Sequence, residues 1–168
     1  RSLCTIGFPV ASVSEAVEKE RADLVVMGTT GATGLRGVFL GSVASGVIAR
    51  TKVPVLVVPQ KATFKEKVKA VFATDFRLRV SEETMGVLRG LPQLNKGILH
   101  VVHIIDKPGT PDKGPESAVS QKLGSIRHDF HYIHDRDVPQ AIMNFTESTD
   151  ADLLVSVAHE HSLMHRLF

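Results

Sequence analysis

One set of residues has types and spacing that could do chemistry: Gly28-x-x-Gly31, nine further residues, then Gly41-Ser42. Gly28 follows a compact apolar run, and glycine there lets the chain turn sharply, with positive φ if required. Gly31 removes a side chain where backbone must come close to a ligand. Gly41-Ser42 opens a helical stretch, presenting unpaired backbone N–H groups and a hydroxyl to an anion. Such amides hold phosphate oxygens without a lysine, and no Gly-Lys-Ser/Thr of the Walker type occurs. An isolated Gly-x-x-Gly would read as a plain surface loop. Here the strand before, the helix after and the Gly-Ser at the helix start all agree on phosphate. The position also suits the rule that open α/β sheets bind ligands beyond the carboxyl ends of their strands.

Other reactive types point to less. Ser42 has no identifiable His–Asp partners, so it is expected to act as helix cap and phosphate ligand rather than nucleophile. Cys4 is the single cysteine, which excludes an internal disulfide and any paired-cysteine metal motif. It is expected to be a buried small apolar residue. All eight histidines lie after residue 99, as His100/His103, His128/His131/His134 and His159/His161/His165. A zinc site would be one use of them. A three-residue step on a strand puts neighbours on opposite faces, however, so scattered, partly exposed histidines are expected instead.

The elements that must position the loop alternate between strand and helix. Cys4 to Phe8 reads as a strand, and Ser12 with Glu15 as a capping box opening a helix striped by Val13, Ala16 and Val17. Asp23 to Met27 reads as a buried strand, Ser42 to Arg50 as a helix, and Val53 to Val58 as a further strand. Gln60 to Lys67 is polar and reads as a linker. The pattern then restarts with a strand over Val68 to Thr74, a helix capped by Ser81, and a strand over Ile98 to Ile105. Lys107 to Pro115 reads as a loop, Asp137 with Pro139 as a helix start, and Leu153 to Val157 as a last strand. This alternation implies a parallel sheet flanked by helices.

An internal repeat accompanies it. Ala22-Asp-Leu-Val-Val26 recurs as Ala151-Asp-Leu-Leu-Val155, each copy preceded by Val-x-x-Ala-[Val/Ile], with the second helix expected to be about one turn longer.

At these residues the chain resembles the universal stress protein family. Gly28-Thr-Thr-Gly31, nine residues, Gly41-Ser42 and then Pro54-Val-Leu-Val-Val58 match that family's ATP-binding pattern. The resemblance implies a Rossmann-like domain of the adenine nucleotide alpha hydrolase-like kind, which binds ATP, with or without magnesium, and dimerises through its last strand. It places the nucleotide on Gly28, Thr29, Gly31, Gly41, Ser42 and Val43. Val68-Lys-Ala-Val-Phe-Ala-Thr-Asp75 resembles the family's first strand, which adds Asp75 as an acceptor for ribose hydroxyls. Residues 151–168 resemble the degenerate second domain of tandem members, with Ala158 and His161 where the first copy has Gly28 and Gly31.

Three expectations for domain organisation follow. The favoured one is a tandem protein truncated at both ends: 1–60 as the later part of a first domain, 61–67 as linker, 68–168 as the early part of a second. In the alternatives, Val68 to Ile105 completes residues 1–60 as a permuted domain, or another chain does so by swapping. Composition agrees with a soluble globular protein, at 43% hydrophobic and 23% charged residues. A formal charge of +2 without a basic run excludes a nucleic-acid stripe. The longest apolar stretches are too short to cross a bilayer, no signal peptide is legible, and a cytoplasmic setting is expected. The expected function is a nucleotide-binding stress module with at most slow ATPase activity; the alternative is a nucleotide-free dimerisation scaffold with a vestigial loop. An ATP-pyrophosphatase is disfavoured because no Ser-Gly-Gly follows Thr74-Asp75-Phe76. The Val53–Val58 strand is expected to pair with its equivalent in a homodimer, since a flat apolar edge must be covered.

Overall fold

The computed structural model describes residues 2–29, 40–76, 82–106 and 114–157. They fall into two compact units, one reaching to Thr63 and the other beginning at Phe64. Each has its own all-parallel sheet with flanking helices, so the α/β class expected from the alternation is present.

The first unit runs α1 (Pro9–Glu20), β1 (Val25–Gly28), α2 (Ser42–Arg50) and β2 (Val55–Val58). β1 and β2 pair in parallel, from Val25 opposite Val55 to Gly28 opposite Val58. The expected strand over Cys4 to Phe8 is absent. Pro9 occupies the first helical position, where its missing N–H costs nothing and its fixed φ suits the helix. The helix therefore starts before Ser12, whose N–H already donates to the Phe8 carbonyl at 3.0 Å, and the Ser12 capping box does not form. Cys4, expected to be buried, is exposed, as are Ile6 and Phe8. α1 and α2 approach closely at Gly46, where a Cβ would stand 2.7 Å from Val10 Cγ2.

The second unit runs β3 (Lys69–Ala73), α3 (Glu82–Arg89), α4 (Pro92–Lys96), β4 (Ile98–Ile105), α5 (Gly114–Leu123), β5 (His128–His134), α6 (Val138–Ser148) and β6 (Leu153–Ser156). Its strand order is β5-β4-β3-β6, so the direction of winding reverses between β3 and β6. β3 is buried on both faces, as central parallel strands are. Ala70, Phe72, Leu99 and Val101 face Met85 and Leu88 of α3, Leu94 of α4 and Leu123 of α5. Val71, Ala73, Val102 and Ile104 face Val138, Ala141 and Ile142 of α6. β3 pairs with β4 on one edge and with β6 on the other. The helix cap expected at Ser81 lies outside the described residues. At Asp137 the cap is formed, its side chain accepting from Gln140 N at 3.2 Å.

The repeated Ala-Asp-Leu segments follow the same turn. Arg21 and Asp150 adopt left-handed φ of 51° and 50°. Ala22 N donates to Val17 O and Ala151 N to Thr146 O, each at 3.0 Å, while Arg21 N and Asp150 N reach Glu18 O and Glu147 O. This is the Schellman ending of a helix, made twice. The second helix is not the longer one: α1 has 12 residues and α6 has 11. Val13 lies inside α1 whereas Val138 opens α6, and the offset in the repeat is absorbed there.

In the second unit the repeated aspartate clasps two strands. Asp152 Oδ2 accepts from Lys69 N at 3.0 Å, Asp152 N donates to Lys69 O at 2.8 Å, and Asp152 Oδ1 pairs with the Lys65 ammonium. Partial burial opposes the charged form of Asp152, but the Lys65 and Lys69 contacts outweigh it and hold the carboxyl below its ordinary range. Its hydrogen bond and charge in turn raise the Lys65 amine.

Candidate functional site

The loop residues of the first unit are placed by one short strand and one short helix. Gly28 is the last residue of β1, and Thr29 N donates to Val58 O at 3.2 Å, extending the β1–β2 ladder by one bond. Thr29 O then accepts from Gly41 N at 2.8 Å. That bond draws the two ends of the loop together, so α2 begins at the carboxyl end of β1. Gly41 is the N-cap of α2 in extended conformation, with no side-chain cap. Ser42 is therefore the first helical residue rather than the cap, and Val43 the second, with Val43 exposed. The amides of a helix's first turn have no carbonyl partner within the helix, and the helix dipole adds partial positive charge there. Ala44 and Val47 are buried and anchor the helix. Gly31 and most of the loop lie outside the described residues.

The role expected of Gly28 is corrected in part. Its φ is not positive, so no backbone strain calls for glycine. A Cβ built on it would meet nothing among the described residues within 4 Å.

Asp75 belongs to the second unit. It stands half-buried just past the carboxyl end of β3, next to the winding reversal between β3 and β6. Around it the chain is tightly held. Thr74 N donates to Val102 O at 3.0 Å, Thr74 Oγ1 accepts from Phe76 N at 3.2 Å, and Phe76 takes φ 57°. His103 Nδ1 donates to Thr74 O at 3.0 Å, which defines its protonated nitrogen.

The histidines divide in a way that sequence reasoning reached only halfway. His100 and His103 do point to opposite faces of β4, and His128 and His131 to opposite faces of β5. His128 is structural: Nδ1–H donates to Ile126 O at 2.7 Å, and Nε2 of the neutral ring accepts from Ser120 Oγ at 2.9 Å. Across the β4–β5 pair, however, His100, Asp129 and His131 converge. The register places His100 beside Asp129 and Val102 beside His131. The signal that could have found this trio was the Asp-x-His step in Asp129-Phe-His131, which holds period 2 on one strand. Its partner on β4 is fixed by register alone. His159, His161 and His165 lie outside the described residues.

Comparison with known proteins bears on the first unit above all. Residues 2–59 match the family model described as the Universal stress protein family. A universal stress protein of Methanocaldococcus jannaschii is 56% identical over 52 residues, which are 31% of this chain and 31% of that one. A second from the same organism is 36% identical over 61 residues, or 36% and 38% of the two chains. A universal stress protein of Mycobacterium tuberculosis strain H37Rv is 42% identical over 53 residues, or 32% and 36%. The matching segment thus spans about a third of the length of these curated relatives. Residues 2–59 are thus similar to the universal stress protein family. The crystal structure of a universal stress protein from Archaeoglobus fulgidus DSM 4304 superposes with a TM-score of 0.62 over 95% of this chain and 57% of that one. At 21% identity this likeness concerns the fold, which is Rossmann-like α/β. Among the described residues no helix is long and apolar enough to cross a membrane.

Proposed function

We propose that this chain is part of a universal stress protein of the tandem type and that its first unit holds the phosphates of ATP, with or without magnesium. The observation that carries the reading is the Gly41 N–H to Thr29 carbonyl bond of 2.8 Å, which closes the loop's ends and sets the first turn of α2 at the carboxyl end of β1. Phosphate oxygens then have the amides of Ser42 and Val43, the Ser42 hydroxyl and the α2 dipole as partners. That no atom among the described residues lies within 4 Å of a Cβ built on Gly28 supports a backbone surface that a ligand approaches closely. The reading is one of binding. Residues 28–43 offer anion partners and include no Asp, Glu or His to act as a base.

Isothermal titration of MgATP into the whole chain tests this, with Gly28→Val and Asp75→Ala alongside. A Cβ at Gly28 meets no described atom, so the valine variant keeps its circular dichroism while crowding the ligand. We expect saturable binding by the wild type, weakened roughly tenfold or more in Gly28→Val, about 1.4 kcal/mol. Binding unchanged in a folded Gly28→Val would place the nucleotide elsewhere. A folded wild type that takes no MgATP would overturn the reading in favour of a dimerisation scaffold, for which β2 offers support: among the described residues it pairs only with β1.

A further inference from the structure

We propose that His100, Asp129 and His131, all of the second unit, form a binding site for one late first-row divalent cation of the zinc class. Three potential ligand atoms meet at one point. His100 Nδ1 lies 2.7 Å from Asp129 Oδ1 and 3.2 Å from His131 Nε2, and His131 Nε2 lies 3.0 Å from the same Asp129 oxygen. In a tetrahedral zinc site with bonds of about 2.0–2.1 Å, neighbouring ligand atoms stand roughly 3.3 Å apart. The trio therefore needs to open by at most about 0.6 Å, at the His100–Asp129 pair, to seat an ion beside its plane.

Proton bookkeeping favours a cation over a hydrogen-bonded cluster. Two neutral imidazoles satisfying the carboxylate would each direct an N–H at the same oxygen and would then face each other, donor to donor, 3.2 Å apart. A divalent ion takes the lone pairs of both rings and of the carboxylate at once. His103 and His128, by contrast, have hydrogen bonds to carbonyl or hydroxyl groups that fully explain them.

The setting also suits a metal. The three residues sit on the α6 side of the sheet, in line with Val102 and Ile104 of β4 and Ile133 of β5, which pack into the core. Phe145 of α6 covers them, its ring centroid 4.7 Å from His131 and 6.1 Å from His100. His100 is nearly enclosed, at 14% exposure, while Asp129 keeps 44% and His131 32%. The trio is thus anchored on one side and open on the other, leaving the fourth position to water or an outside ligand. Two imidazoles and one carboxylate select zinc, copper or nickel over magnesium and calcium, which prefer all-oxygen sites. The site lies near the amino ends of β4 and β5, the end of the sheet away from Asp75, so it does not depend on the nucleotide reading.

The test uses the full chain, purified without a histidine tag and stripped with chelator, titrated with ZnSO4 by calorimetry. One zinc per chain is expected, with a rise in melting temperature on loading. His131→Ala and Asp129→Asn serve as ligand variants, and His134→Ala, on the exposed end of β5, as the control. Losing even an outer-shell partner of a metal ligand costs 10–100-fold, so removing a ligand itself should weaken binding by roughly a hundredfold or more. His134→Ala should bind as the wild type does. Asp129→Asn preserves shape, so it keeps the comparison decisive if His131→Ala folds poorly. Stoichiometric zinc binding that survives Asp129→Asn would assign the ion to other histidines and overturn the proposal. A folded wild type that takes up no zinc and shows no thermal shift would overturn it as well.

Discussion

Replacing Gly97 by alanine should be the most damaging single-methyl change in the second unit. Gly97 is buried between α4 and β4, and a Cβ there would fall 1.9 Å from the Val68 carbonyl oxygen and 2.8 Å from its carbon. Both obstacles are backbone, so no side chain can swing aside. The strand entry at Val68 must move, and with it the bond from Ile98 N to Val68 O at 3.2 Å that starts the β3–β4 ladder. Overpacking of this kind costs about 1–3 kcal/mol, and losing the hydrogen bond adds about 1 kcal/mol, so roughly 2–4 kcal/mol is expected. For a unit of this size that lowers the melting temperature by roughly 10–20 °C. Gly86 supplies the opposite sign. It lies within α3, exposed, with nothing among the described residues within 4 Å of its Cβ position. Gly86→Ala should therefore stabilise by about 0.5–1 kcal/mol through helix propensity. Urea unfolding followed by circular dichroism measures both, with the slope checked for constancy so that midpoint shifts report stability. A Gly97→Ala midpoint equal to the wild type's, or destabilisation by both substitutions, would refute the reasoning.

Further outcomes follow from the clasp and from the exposed edge. Asp152→Asn should destabilise the second unit at pH 7. Because the folded carboxyl titrates below its ordinary value, the contribution is fully present above the unfolded pKa of 3.8 and is lost as pH falls through the lower, folded value. Unfolding midpoints of the two proteins should therefore converge in strong acid, and a gap that stays constant with pH would show that the charge is not what matters. In solution, β2 should pair with its equivalent across a two-fold axis, giving a dimer by sedimentation velocity at micromolar concentration that Val57→Lys dissociates. A monomeric wild type would remove the strand-pairing proposal.

Much of the fold was legible because periodicity and punctuation agree locally. α2 spans the residues its Val43/Val47 and Ala44/Ile48 pairs mark out, and α6 starts where Asp137 and Pro139 say it should. β1, β3, β4 and β6 lie within apolar runs bounded by turn residues. β5 is not legible because His128-Asp-Phe-His-Tyr-Ile-His134 lacks an apolar run; among the described residues it pairs only with β4, at the end of the sheet. α5 was missed for a related reason, since Val119 and Leu123 form too thin a stripe to stand out from a polar stretch. The strand anticipated at Cys4 to Phe8 failed because five residues of suitable type do not pair without a neighbour, while Pro9 commits the chain to helix.

What the sequence determined by itself was therefore everything set within a few residues of chain: the alternation of elements, the repeated Schellman turns, and a loop whose Gly-x-x-Gly and Gly-Ser bracket a helix start. What only the tertiary structure decided was everything set by register and strand order. The bond from Gly41 to Thr29 joins residues twelve apart in sequence at 2.8 Å. β3 is central in its sheet because it pairs with both β4 and β6. His100 meets Asp129 and His131 because a parallel ladder aligns those positions, and a slip of one residue would turn His100 and its would-be partners to opposite faces of the sheet. Side-chain type is written locally, but which side chains meet across a sheet is decided by the burial of both its faces at once.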